Sequence, residues 1–296
     1  MSTAFDLQHL AERLFFNHPT RMWKKEKAPF LQTCTEEFTK LGYDARVIDF
    51  SSNGITSRNL VVGNPNAKFL FTAHYDTPGR NGFLMAGSKL WGVVGSQIVM
   101  LAAIFLISFV IGLFNVPWLG WPITLLMLVP FFIKNPQNHN DNTSGVLAVF
   151  RMAELLSNSP LRDQCAFVLF DHEEVGLLGS QMFAKQHNNG TVINFDCVGA
   201  GDVLAVMARK KQKTMQNNML AFLQTRGETP VKINSMLLGS SDHAHFKQAI
   251  SLLYYKRSRL GPLYLGKAHS KRDTVCDLAK IEHVCRLALD YTESCN

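Results

Sequence analysis

Charge is what this sequence has little of. Only 18% of its 296 residues are Asp, Glu, Lys or Arg, below the roughly 25% usual for soluble domains. The shortfall is concentrated: from Leu90 through Ile133, 44 residues pass without one Asp, Glu, Lys, Arg or His. Cysteine pairing motifs are absent too. The six cysteines, at 34, 165, 197, 276, 285 and 295, form no Cys-x-x-Cys pair and no disulfide-like framework. Cys165 and Cys197 sit in apolar, strand-like context, where cysteine behaves as a small hydrophobe. There is no internal repeat and no low-complexity tail. The neighbourhood of Met1 is polar and acidic, unlike a signal peptide, so a reducing cytoplasm is expected. The formal net charge is +7, yet the basic clusters Arg209–Lys213 and Lys256–Arg259 carry no interleaved aromatics and no recognised module. That excludes nucleic acid as the expected partner.

What is present alternates. Helices are expected near 6–17, 29–41, 145–157, 178–187, 214–225 and 278–291. Strands are expected near 45–50, 58–62, 68–73, 165–170, 191–195, 203–208 and 251–255. Strands alternating with helices predict an α/β fold, a mostly parallel mixed sheet covered by helices on both faces. Three strand-like runs end in an acid or an imidazole. Lys68-Phe-Leu-Phe-Thr-Ala73 delivers His74, Cys165-Ala-Phe-Val-Leu-Phe170 leads to Glu173 and Glu174, and Thr191-Val-Ile-Asn-Phe195 delivers Asp196. Groups at the carboxyl ends of strands in an open α/β sheet line the crevice where ligands bind.

To these the sequence adds Asp141, ahead of a helix that starts near Gly145, and His269 in His269-Ser270-Lys271-Arg272-Asp273-Thr274. His74, Asp141, Glu174, Asp196 and His269 are two imidazoles and three carboxylates. Such a set suits two zinc-like ions, because a carboxylate can bridge where a neutral histidine cannot. Glu173 is then left free to move a proton. Asp141 also reads as a helix N-cap, which is compatible with ligation. Ser241-Asp242-His243 has no metal role to fill, and His243 is expected to be buried and hydrogen-bonded. Tyr254, Tyr255 and Tyr264 are oxyanion candidates whose default is core packing.

Phe71-Thr-Ala-His-Tyr-Asp76, Asp141-Asn-Thr-Ser-Gly145, Phe170-Asp-His-Glu-Glu-Val-Gly-Leu-Leu-Gly-Ser180, Asn194-Phe-Asp196 and His269 through Thr274 together resemble the di-zinc aminopeptidases. That family also includes transferrin-receptor-like and glutamate-carboxypeptidase-like proteins. The resemblance implies that Asp141 bridges two divalent ions, zinc foremost. It implies that His74 and Glu174 complete one site, Asp196 and His269 the other, and that Asp76 orients His74. It further implies peptide substrates with a free N-terminus, losing their first residue while Glu173 acts as general base. Other outcomes for this fold are single-zinc glutaminyl cyclisation and a catalytically inactive, receptor-like interaction protein. A homo-oligomer is left open.

The uncharged segment departs from the family pattern, so the chain reads as one catalytic domain, 1–89 and 134–296, with residues 90–133 inserted. Leu90–Phe114 exceeds the roughly 20 residues a helix needs to cross a bilayer. Trp118–Ile133, after a break at Asn115-Val-Pro117, is a shorter second run. Because His74 and Asp141 flank the insertion and must meet, the number of crossings is even. Arg80, Lys89 and Lys134 stand at the base of the insertion, with no charge at its apex. The expectation is a hydrophobic hairpin in the lipid bilayer with the catalytic domain facing the cytoplasm.

Overall fold

The computed structural model describes residues 5–52, 54–80, 90–113, 122, 129–130, 132–235, 240–259 and 263–295. Its centre is built from the three runs that end in site residues. β3 (Phe69–His74), β4 (Cys165–Phe170) and β5 (Thr191–Phe195) are buried along essentially their whole length. Unbroken apolar runs without alternation are what strands covered on both faces require. Around them lie β1 (Ala45–Ser52), β2 (Ile55–Val62), β6 (Val203–Ala208), β7 (Val231–Asn234), β8 (Gln248–Arg257) and the short β9 (Leu263–Tyr264).

The strand order is β1-β2-β4-β3-β5-β8-β6-β7, with β9 beside β8. The central strands β4, β3, β5 and β8 run parallel, and so do β6 and β7. The β1–β2, β2–β4, β6–β8 and β8–β9 pairings are antiparallel. The sheet is therefore mixed, and its contiguous parallel part is its centre.

Side chains alternate across that sheet into separate cores. Phe69, Phe71, Phe167 and Leu169 face a large cluster filled by α1 (Leu7–Asn17), α2 (Lys24–Lys40), α4 (Ser144–Leu156), α6 (Lys213–Thr225) and α7 (Leu278–Ser294). Leu70, Val168 and Phe170 face the opposite side, against Met182 and Phe183 of α5 (Leu178–Gln186). A third, smaller cluster joins Ala205, Met207, Ile233, Leu253 and Tyr255 on β6, β7 and β8. α2 begins at Lys24, with Pro29 inside it, earlier than a proline marking the first turn would predict. β7, only four residues long, carries too little pattern to be read locally.

The inserted segment contains α3 (Leu90–Leu113); most of the second run, Trp118–Ile133, lies outside the described residues. Among the described residues, no helix is long and apolar enough to cross a membrane. The expected location, in the membrane with the catalytic domain facing the cytoplasm, is corrected accordingly; the hairpin itself falls largely on residues outside those described. Freedom from charge is necessary for a span and does not by itself make one.

Candidate metal centre

The three central strands stop together. His74 pairs in register with Phe170 of β4, and Thr72 pairs with Asn194 of β5. Two residues beyond that last pair, His74 and Asp196 leave the sheet edge side by side. Glu173 and Glu174 follow β4 by three and four residues, Asp141 precedes α4, and His269 sits in the connection from β9 to α7. The structure thus brings all five expected ligands and the expected base to one place. Asp141 divides its carboxylate: Oδ1 lies 3.5 Å from His74 Nε2, and Oδ2 lies 3.0 Å from His269 Nε2. His269 Nε2 is also 3.4 Å from Glu174 Oε1.

Within 4.8 Å of one another stand His74, Asp141 and Asp196, and likewise Asp141, Glu174 and His269; His74 also forms a third group with Glu173 and Glu174. The first two sets share only Asp141. This exchanges the pairing that the resemblance implied, with Asp196 beside His74 and Glu174 beside His269. The cause is the sheet order, since β3 and β5 are neighbours and their ends emerge together.

Local structure fixes these groups through hydrogen-bonding partners. The Asp76 carboxylate accepts hydrogen bonds from Glu173 N at 3.0 Å and Glu174 N at 3.2 Å. One of its oxygens is 3.6 Å from His74 Nδ1. Asp76 therefore couples the first histidine to the loop that carries the base. Asp273 accepts from Asn140 N and Asp141 N, at 3.1 and 2.9 Å, clamping the backbone of the shared ligand. Asn142 donates to Phe195 O at 3.0 Å and accepts from Gly145 N and Cys197 N, at 3.0 and 3.1 Å. It thereby ties the start of α4 to the end of β5. The Asp141–Asn142 peptide is cis.

His172, Cys197 and His269 adopt φ of 55°, 53° and 57°. A non-glycine residue there costs on the order of 1 kcal/mol or more and persists only where its surroundings over-determine it. At His172 they do: Ser57 Oγ meets its Nδ1 at 2.9 Å, and Asp171 accepts from its N–H while pairing with buried Lys27 at 2.6 Å.

The close approach of α4 to β5 leaves no room at Gly145. A Cβ there would come within 2.4 Å of both Asn142 Oδ1 and Phe195 O. Gly145→Ala is expected to cost roughly 2–3 kcal/mol of stability, as overpacking does. It should also displace Asp141 from Asp196. Urea unfolding together with metal content checks both effects; an unchanged unfolding midpoint would contradict the packing argument.

Negative charge exceeds what the protein itself neutralises. Burial pushes Glu173 well above the usual carboxylate range, aided by the charges of Glu174, Asp242 and Asp196 against the pull of His74. Burial and Asp141 raise Glu174 to about 8, against the pull of His269. Asp196 is likewise raised by burial. Asp141 is held low despite burial because His269 and His74 both reach it. His269 is raised to about 10, the charges of Glu174 and Asp141 outweighing its burial. Glu174 Oε1 is buried and makes no hydrogen bond among the described residues, its nearest cationic neighbour being His269 Nε2 at 3.4 Å. A crowd of buried carboxylates around two imidazoles, one oxygen left orphaned, is chemistry that fits divalent cations.

The cluster opens into a cavity of about 330 Å³ whose other walls include Met207, Ser241, Leu253, Tyr255 and Leu265. Of the tyrosines read as oxyanion candidates, Tyr255 lines this cavity with a buried, unpartnered hydroxyl. Tyr254 packs in the main core, and Tyr264 lines a neighbouring cleft. His243 is fully buried as expected, but among the described residues neither ring nitrogen has a hydrogen-bond partner, which corrects the hydrogen-bonded reading. Burial, with Arg209, His245 and Lys211 nearby, lowers it from 6.5 to about 3.

Below pH 6.5 the unfolded imidazole therefore binds a proton that the folded one refuses until about pH 3. Stability contributed by neutral His243 is full above pH 6.5 and is lost as pH falls through that window. Between pH 7 and pH 5 the loss is about 2 kcal/mol. His243→Gln should remove that much pH dependence from the denaturant midpoint; parallel pH profiles for variant and wild type would refute it.

A family model described as Peptidase family M28 matches residues 133–292. Comparison with curated proteins finds no match. Among solved structures, Porphyromonas gingivalis glutaminyl cyclase is similar at a TM-score of 0.66 and 16% identity, with 99% of each chain covered. A Zn-dependent exopeptidase from Parabacteroides distasonis gives 0.64 and 14%, with 98% of each covered. BSAP, a zinc aminopeptidase from Bacillus subtilis, gives 0.54 and 17%, over 82% of this chain. The chain spans 51% of that enzyme's length. At these identities the structural likeness carries the fold alone.

Proposed function

We propose that this chain, which belongs to peptidase family M28, is a two-metal aminopeptidase, with residues 1–89 and 134–296 as its catalytic unit. It would hold two divalent cations, zinc foremost, and remove the first residue of peptides with a free N-terminus. The observation that carries this reading is the divided carboxylate of Asp141, one oxygen turned to each histidine. His74 and Asp196 would complete one site, Glu174 and His269 the other. Cations held there would lower the pKa of a shared water and polarise the scissile carbonyl.

The chain's own groups supply the rest. Glu173 lines the cavity beside the ligands, where it takes the proton from the attacking water and returns it to the leaving amine. Asp76 holds Glu173 in place through its backbone N–H and steadies His74, so base and ligand move as one. Acid-lined walls favour a cationic α-amine on the substrate.

A second reading is glutaminyl cyclisation with one zinc, since full-length likeness extends to a glutaminyl cyclase as well as to a Zn-dependent exopeptidase. Metal counting on purified protein, with release of a fluorescent amine from aminoacyl coumarins, separates the two. Two ions per chain and amine release support the aminopeptidase. One ion, with ammonia lost from glutaminyl peptides and no amine release, would replace it with the cyclase. No reaction of either kind would favour a receptor-like protein.

A further inference from the structure

Two cavities flank the metal cluster, and the strand order explains why. The ligand-bearing strands β4, β3 and β5 occupy the middle of the sheet, with β8 and β6 to one side and β2 and β1 to the other. The cavity described above lies on the β8 and β6 side. A second, of about 590 Å³, lies on the β2 and β1 side. They meet at Glu174, which lines both. Four large apolar side chains from four separate segments converge on the second cleft. They are Trp23 at the start of α2, Ile55 at the start of β2, Phe132 at the end of the insertion and Val175 beside Glu174. Their exposures are 42%, 43%, 62% and 63%. Single exposed hydrophobes are ordinary, but several lining one concave surface mark a binding site.

The insertion's base shapes this rim. Gly79 bridges Lys134, Arg80 N donates to Ile133 O at 2.8 Å, and Lys134 pairs with Glu26 of α2. Phe132 is thereby set at the mouth of the cleft. Its cations are mostly spoken for: Lys27 pairs with Asp171 at 2.6 Å, and Arg58 Nε lies 3.5 Å from Asp49. That leaves apolar contact as what the cleft chiefly offers.

We propose that this cleft seats the peptide beyond the first residue and selects substrates with apolar second and third residues. The inference rests on the aminopeptidase reading. In that frame the smaller, acid-lined cavity takes the first residue with its amine. The scissile bond lies over the ligands, and the leaving peptide extends past Glu174 towards Ile55 and Phe132. The larger volume and the wall shared with the site at Glu174 suit an extended chain.

The test compares Leu-amide, whose leaving group is only ammonia, with Leu-Phe-Phe and Leu-Ser-Asp, using wild type and an Ile55→Ser, Phe132→Ser double variant. Both side chains are substantially exposed, so the variant keeps its core. Wild type should prefer Leu-Phe-Phe over Leu-Ser-Asp by about tenfold or more in kcat/KM, as apolar pockets do. The variant should lose that preference mainly through a higher KM, with Leu-amide hydrolysis unchanged. Equal wild-type rates on the two tripeptides, or an equal fall on every substrate in the variant, would overturn the inference while leaving the aminopeptidase standing. Failure to cleave any of the three would overturn both.

Discussion

Glu173→Gln is expected to abolish turnover, by about 10²–10⁴-fold in kcat as for removal of a general base, while the protein keeps both metal ions. The two assigned ligand sets, His74 with Asp141 and Asp196 and Asp141 with Glu174 and His269, do not include Glu173. Its own nitrogen, held by Asp76, is unchanged by the substitution. Gln has the shape of Glu but cannot accept a proton at neutral pH, so folding, metal content and substrate affinity should survive. Elemental analysis beside kcat makes the distinction. A variant that works at wild-type rate removes Glu173 as the base, and one that loses metal reassigns it as a ligand, an outcome its grouping with His74 and Glu174 makes worth measuring.

Asp141→Asn is expected to have the other large effect, on metal content as well as rate. Both ligand sets run through Asp141, and an amide offers one neutral oxygen where the carboxylate offers two charged ones. Stoichiometry should fall from two ions to one or none. Losing several kcal/mol of charge stabilisation at the reacting carbonyl corresponds to roughly 10³-fold in kcat/KM. The backbone clamp from Asp273 engages Asp141 N rather than its side chain, so the loop should keep its course. Thermal unfolding of the metal-free forms checks this, since wild type and variant should then be close. Retention of two ions after dialysis would sink the bridging role.

The substitutions also show where the sequence ran out. The buried central strands were legible because their signal is local, an unbroken apolar run ended by an acid or imidazole. Asp76 was legible only through the family resemblance. Asn142 and Asp273 were not assigned, although both lie inside quoted motifs, because each acts on backbone groups far away in the chain, Phe195 and Asp141 among them. His243 was read as buried, and it is, but partnership could not be deduced from Ser241-Asp242-His243. Residues 90–133 were over-read, because freedom from charge is a property of composition whereas crossing a bilayer is one of geometry.

By itself the sequence determined the chemical inventory: two imidazoles and three carboxylates at strand and loop ends, a spare glutamate beside them, and an α/β framework to carry them. Only the tertiary structure decided which ligand stands beside which. Side-chain type and strand ending depend on neighbours along the chain. The juxtaposition of His74 with Asp196 depends instead on β3 and β5 being adjacent in the sheet, a long-range pairing that no local pattern encodes.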